Sequence, residues 1–531
     1  MNLSGAHADA VNRRRRIFVQ YDAHGQLGAP FDEWLEFRFA YFDQPGSQVD
    51  TVCWDIGAGS WAMYPSEVLP RLEHPGIRLW SEQGIDWVAE LLRATHSRGL
   101  EAFWNHRVSE VDLAPTEELE PGMRLMMDDM NPVKREHPDW VIKTWWWQGL
   151  WNYACPELRE YQLSILRELA GKYDLDGFQL DFARHVPCLP PGRQWELRGE
   201  VTEFVRMVRQ MLQDTAHQRG RPYLLAARIP ETLEGCRADG FDVETWARQG
   251  LVDILTLGSR SMDVDIEGFS RAMAGCNVKL QPCFDDHHAT DGYRFQSIEF
   301  LRGVFGNWWA RGAHSVATFN WANASPEMCQ EYIVNRWMRG EFNEGEHHAQ
   351  GQAYLEVGSP RTLAGKDKVF AVERRGGYPW AEGYFNHNAC SPLPLLLRND
   401  GAATLLDLHI CDPVRDLADT VEALILRAVI FGAREGDQFG AKLNGVELET
   451  AAVDHNWKDP QIFSPAPQPA SGGTGRYPVN PAQKLLRVDF RVPPGACNLS
   501  RNRAEVRIAS RIPYCAQEIA LEKLEIHLKY K

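Results

Sequence analysis

The chain has 531 residues, 44% hydrophobic and 24% charged, which excludes wholesale disorder and supplies enough chain for a large core without disulfide or metal staples. Its formal charge of −15 argues against a general nucleic-acid binder, since such binding depends on Lys and Arg neutralising phosphates. No uncharged apolar run is long enough to span a membrane, so none is expected to.

The N-terminus carries a basic run, Arg13 to Arg16, without the apolar stretch of a secretory signal. It reads as the solvated approach to a first strand. The 11 Cys are odd in number and none is spaced C-x-x-C, the pattern of scattered thiols in a reducing compartment. A cytoplasmic protein is the expectation, or a secreted one if a signal peptide has been removed. The 19 Trp form an excess that needs either a large core or a ligand cleft lined by flat apolar faces.

Apolar strand-like runs follow at 17–21, 49–56, 101–104, 177–182, 223–229, 252–257, 278–284 and 315–319. Most lack strict alternation, as parallel strands buried on both faces do. Between them lie helical stripes such as Leu158, Tyr161, Ile165 and Leu169, or Ile298, Leu301, Phe305 and Trp308. Eight such units predict a (β/α)8 TIM barrel over 1–345. A doubly wound sheet is the runner-up, but Gln20-Tyr21-Asp22-Ala23-His24-Gly25 is not the Gly-rich phosphate loop it would carry.

One connection, from Asn105 to Pro156, is too long for a plain loop. Trp140, Trp145, Trp146, Trp147, Trp151 and Tyr153 fall in it. They predict either a packed insert or an aromatic wall over the active face. Beyond 345 short β-rich runs replace the helices, with turn signals such as Asn444-Gly445 between them. An all-β sandwich over 346–531 is expected.

Barrel chemistry sits at the C-terminal ends of the strands. There the sequence offers Asp55; Asn105, His106 and Arg107; Asp181, Arg184 and His185; Arg228 and Glu231; Ser259 and Arg260; Asp285, Asp286, His287 and His288; and Asn320 and Trp321. This mixture of carboxylates, cations and amides with aromatic neighbours suits polyhydroxylated substrates. Asp181 stands out, because a charge ending an apolar strand needs a partner or a task. Arg184, His185 and Arg228 are candidate partners. Asp176, at the other end of that strand, reads as a turn or cap residue.

The run 151–161, opening Trp151-Asn152-Tyr153-Ala154-Cys155-Pro156-Glu157, is followed by Tyr173-Asp174-Leu175-Asp176-Gly177-Phe178-Gln179-Leu180-Asp181. Together with His137-Pro138-Asp139-Trp140 upstream, it resembles the glycosyl-hydrolase-like barrel families, a family-10-like glycosidase barrel. The resemblance covers about residues 15–340 and is densest over 137–185. It departs at Cys155, where Asn is common. It implies a glycosidase-type barrel with the strand-end Asp at the active centre.

Most glycosidases flank the scissile bond with two carboxyl groups. Asp181 is the first, and the second is open between Asp285 or Asp286 and Glu231. Asp55, His106, Arg107, Trp146, His185, Arg228, Asp286, His287, Asn320 and Trp321 are expected to bind substrate. Several Arg near the pocket would suit an anionic sugar. No metal or cofactor is expected, no nucleic-acid or membrane partner is, and a homo-oligomer stays open. Two other readings stand beside hydrolysis: a non-catalytic carbohydrate-binding protein, and a metal-dependent hydrolase built from His106, His185, Asp285, His287 and His288.

Overall fold

The computed structural model describes residues 4–23, 27–58, 61–72, 74–110, 131–144, 148–258, 261–285, 293, 297–319, 321, 349–374, 392–459 and 485–531. Eight parallel strands close into a barrel: β1 (Ile17–Asp22), β2 (Val49–Asp55), β3 (Glu101–Arg107), β4 (Gly177–Asp181), β5 (Leu224–Ile229), β6 (Ile254–Leu257), β7 (Lys279–Asp285) and β8 (Val316–Phe319). Their order around the barrel follows the chain, and β8 pairs with β1 to close it. All eight predicted runs are barrel strands, so the TIM barrel is confirmed.

The helices between them start and stop where the local chemistry dictates. Asp86, Thr232, Asp265 and Ser297 each accept a hydrogen bond from a backbone N–H of the helix they precede. Gly220 ends helix Arg198–Arg219 at φ 71°, a left-handed conformation that glycine adopts without a Cβ clash. Cys155 precedes helix Pro156–Lys172 without a side-chain cap. The departure from the family's Asn therefore leaves one end donor without that partner.

Charged side chains close the bottom of the barrel. Helix Gly5–Asn12 lies across it, with His7 Nε2 2.8 Å from Asp253. Asp253 also accepts from Arg209 at 2.6 Å and from the Leu225 backbone at 2.7 Å. Arg15 forks onto Glu101 at 2.7 and 2.8 Å, and Arg16 onto Asp50. Arg13 also reaches Glu101 at 3.4 Å, so three of the four Arg in the basic run make ion pairs at the strand bases. Asp176 accepts from His96 at 2.8 Å and from the Ala102 backbone at 2.9 Å, the turn role expected of it.

Above this floor the barrel is filled by amides and hydroxyls. Gln179 donates to Gln20 and to Asn105, both at 2.9 Å, and accepts from Thr256 at 2.9 Å. Gln281 donates to Thr256 at 3.0 Å and accepts from Ser315 at 2.8 Å. Such a network stabilises one arrangement only if every member is satisfied, so it ties five strands and the residue before β8 to a single register.

The second half of the chain forms two antiparallel sheets. Its longer strands are β9 (Lys368–Ala371), β10 (Thr404–Ile410), β11 (Val421–Phe431), β12 (Gln438–Leu443), β13 (Glu449–Trp457), β14 (Leu485–Arg491), β15 (Ser500–Ser510) and β16 (Ala520–Tyr530). One sheet runs β9-β16-β11-β14-β13 and the other β10-β15-β12. Leu406, Leu408, Leu426, Phe490, Val506 and Ile526 share the core between them, a sandwich-like region. Asn444 and Gly445 turn at φ 50° and 82°, the positive pair a tight hairpin needs. β13 escapes sequence reading because it is a mostly exposed edge strand without apolar alternation.

The predicted boundary near 345 falls outside the described residues. Helices Gln350–Glu356 and Pro360–Leu363 still place Tyr354, Val357 and Leu363 in the barrel's core. At Gly303 a Cβ would lie 2.0 Å from the Val369 carbonyl oxygen, so glycine there lets β9 lie directly on a barrel helix. Among the described residues no helix is long and apolar enough to cross a membrane, and nine Cys are free thiols.

Candidate active site

Side chains alternate across a strand, so the strand-end residues facing the barrel axis form one set. Register pairs Asp22 with Asp55, Arg107 with Asp181, Asp181 with Arg228, and Asp285 with Phe319. Five strands therefore end in a charged residue at the C-terminal mouth, and β5 carries one, Arg228, next to its last residue.

Asp181 is fully buried, and both its oxygens are held. Oδ1 accepts from the backbone N–H groups of Ala183 at 3.1 Å and Arg184 at 3.0 Å. Oδ2 accepts from Arg228 Nη1 at 2.9 Å and Gln20 Nε2 at 3.3 Å. Of the three predicted partners, Arg228 takes the ion pair. Burial works against the charge on Arg228, and Asp181, together with Cys283 and Asp285, more than restores it. The guanidinium lies 3.9 Å from the centre of the Phe319 ring. Glu231 and Asp285 are buried nearby. A Cβ on Gly258, at φ 87°, would lie 3.0 Å from Glu231 Cγ, so the end of β6 is glycine where that side chain passes.

Arg107 is the hub of a second cluster. It reaches Asp55 at 2.6 Å, Glu110 at 2.8 Å and Asp22 at 3.1 Å. Asn105 donates to Asp55 at 2.9 Å, and His185 Nδ1 lies 3.2 Å from Glu110. Burial pushes the Asp55 carboxyl up to about 7 against the pull of Arg107. Burial acts on Glu110 too, but Arg107 and His185 hold it well below the usual carboxylate range. Two carboxyl groups on one guanidinium thus differ sharply in proton affinity.

His106 faces away from the axis, 3.0 Å from Gln162, and burial pulls its pKa down to about 4. Burial does the same to His185, despite Glu110. A His whose folded pKa lies below its ordinary 6.5 keeps the fold at full strength above 6.5. As pH falls toward 4 the unfolded chain gains the proton first, and stability is lost. His106→Gln is therefore expected to remove on the order of 2–3 kcal/mol of the stability lost between pH 7 and 4. Urea unfolding of both proteins across that range checks it. Parallel pH profiles would show that His106 does not titrate as a buried group.

The other predicted residues fall in three groups. Trp146, Asp286, His287 and Asn320 lie outside the described residues, as do Trp145, Trp147, Ser259, Arg260 and His288. Trp321 is buried against Phe284, Phe305 and Tyr354, a packing position. Within the long connection, Trp151 and Tyr153 are buried and Trp140 stacks on His137 at 3.9 Å. Much of the Trp excess is core: Trp34, Trp80 and Trp87 pack edge to face or tilted within 6.3 Å of one another. Asp22 and Glu110 were not singled out by sequence. Asp22 directly follows the first apolar run, and Glu110 stands three residues after Arg107, so both carried a signal.

A small cavity of about 60 Å³ opens beside this cluster between β2 and β3. Asp55, Asn105, Arg107 and Glu110 are among the residues that line it.

A closed barrel with carboxyl groups converging at its C-terminal mouth is a glycosidase-like architecture. Residues 43–189 match the sequence model of the family described as Glycosyl hydrolase-like 10. That span contains the 137–185 motif and bears out the resemblance. It also contains Asp55, Arg107 and Asp181. Glycosyl hydrolase DigH of Escherichia coli is 28% identical over 136 residues, 25% of this chain and 30% of DigH. The DigH of Shigella flexneri matches to the same extent. The match thus spans less than a third of these relatives' length. Among solved structures, the glycoside hydrolase domain of PgaB (BpsB) from Bordetella bronchiseptica is similar at a TM-score of 0.42 and 12% identity, over 65% of this chain and 99% of that one. The alpha-galactosidase AgaA of Geobacillus stearothermophilus is similar at a TM-score of 0.35 and 10% identity, over 98% and 56%.

Proposed function

We propose that the chain is a glycoside hydrolase acting at the C-terminal mouth of the barrel through paired carboxyl groups. Asp181 is the central carboxylate, and Asp285 or Glu231 its partner. The observation that carries this reading is the set of six strand ends turned inward with a charge, four of them carboxyl groups. In a retaining reaction Asp181 would attack the anomeric carbon while the partner protonates the leaving oxygen; water would then release the sugar.

Donors for sugar oxygens are at hand. Nε and Nη1 of Arg184 and Nη2 of Arg228 are buried without a hydrogen-bond partner. A buried unpaired donor is costly, so an acceptor supplied by a ligand would be well held. The charges of Arg107 and Arg228 are met within the site, which favours a neutral glycan there, while the Arg184 guanidinium is the group that an anionic sugar would meet. Arg107 is shared by Asp22, Asp55 and Glu110, and Arg228 is committed to Asp181. Among the described residues no group of three or more His, Cys, Asp and Glu is arranged to hold a metal ion, and His287 and His288 lie outside them.

The test is a panel of oligosaccharides and aryl glycosides, following cleavage and the anomer released. Turnover with one defined product anomer is expected. Saturable binding without turnover across the panel would make the chain a carbohydrate-binding protein instead.

A further inference from the structure

The cavity beside Asp55 has two kinds of lining. The strand-end groups of Asp55, Asn105, Arg107 and Glu110 line one part, and Tyr64, Leu69, Trp104, Ile165 and Leu169 line another, beside the buried His106–Gln162 pair. Tyr64, Trp104, Ile165 and Leu169 are buried, whereas Leu69 is half-buried on the 65–70 loop. Helix Pro156–Lys172 supplies Gln162, Ile165 and Leu169 to this lining. At the side of the pocket the indole N–H of Trp61 is buried without a partner. A site with polar strand ends in one part of its lining and buried aromatic and aliphatic side chains in another fits an amphipathic group, and a cavity this small fits only a short one.

We infer that this side pocket receives a compact apolar substituent of the sugar held at the mouth, and so selects substituted over plain glycosides. The inference rests on the glycosidase reading for the identity of the ligand. Hydroxyls of the ring meet Asp55, Asn105 and Arg107 at the strand ends. The substituent turns away from the barrel axis onto Trp104 and Ile165, and the Trp61 N–H donates to an oxygen beside it. The apolar group has three sources: the methyl of an N-acyl group, the methyl of a 6-deoxy sugar, or a short aglycone.

The experiment measures binding of four probes to the full chain by calorimetry: a plain hexose, its N-acetylamino counterpart, its 6-deoxy counterpart and its ethyl glycoside. At least one substituted probe should bind roughly tenfold or more tightly than the plain hexose, the discrimination that a small apolar group gives in a fitted pocket. The probe that does so identifies the source. Leu69→Phe, at a half-buried position, narrows the chamber and should abolish the preference while leaving binding of the plain hexose unchanged. Equal binding of all four probes to the wild type overturns the inference, with or without the variant. So does a preference that survives Leu69→Phe. The glycosidase reading fails separately: selective binding without turnover of any glycoside in the panel would keep the pocket and remove the enzyme.

Discussion

Asp181→Asn is expected to destabilise the barrel by about 3 kcal/mol or more, because it leaves the Arg228 guanidinium buried without its counter-charge. Both side chains are fully shielded from water, so solvent cannot take over the lost partner. Adding Arg228→Met should recover most of that loss, since a buried pair replaced by apolar groups is often close to neutral. Urea unfolding of the two single variants and the double variant measures the coupling. Additive losses would show that the pair is not coupled and that Asp181 is held by Gln20 and the backbone alone. The same substitution bears on turnover, so stability has to be known before activity is compared.

The second large effect belongs to Arg107. Arg107→Met removes the cation that Asp22, Asp55 and Glu110 share and is expected to cost about 3–5 kcal/mol at pH 7.5. Three carboxyl groups brought together without it should have folded-state pKa values above their unfolded ones. A group so raised stabilises the fold, relative to high pH, once pH falls below its folded value. The variant should therefore recover stability as pH drops from about 7 toward 4. In the wild type the groups oppose one another there: Asp55, raised to about 7, gains stability as pH falls, while His106 and His185, held near 4, lose it. The two stability curves should converge toward acid. A gap that stays constant with pH would mean that Arg107 acts through packing and not through charge. Arg107→Lys should fall between, keeping the charge but losing the fork that spans three partners.

The barrel was legible because parallel strands buried on both faces write themselves as apolar runs, and all eight runs are strands. The strand-end rule carried far as well, placing Asp55, Arg107, Asp181, Arg228 and Asp285 at the mouth. Two things escaped it. Asp22 ends a strand by the same rule but was passed over in a stretch read only for a phosphate loop. Pairing was the other, because it depends on side-chain reach across strands far apart in sequence. Arg184 follows Asp181 closely yet gives it only a backbone N–H, whereas Arg228, from the neighbouring strand, gives the guanidinium. The Trp-rich composition was legible as an excess but not as a location. A Trp in a core and a Trp on a cleft wall have the same identity, and only packing partners such as those of Trp34 or Trp321 separate them. β13 shows the converse case, a strand defined by its neighbour's free edge and not by its own pattern.

The central claim is that sugar cleavage is centred on Asp181. The measurement that tests it most directly is kcat per folded molecule for Asp181→Asn, with the best substrate from the panel, at a temperature where unfolding curves show the variant native. The account predicts a fall of about 10³-fold or more, beyond anything a loss of folded protein could explain. A rate within tenfold of the wild type would contradict it and leave Asp181 as a buried ion-pair partner of Arg228.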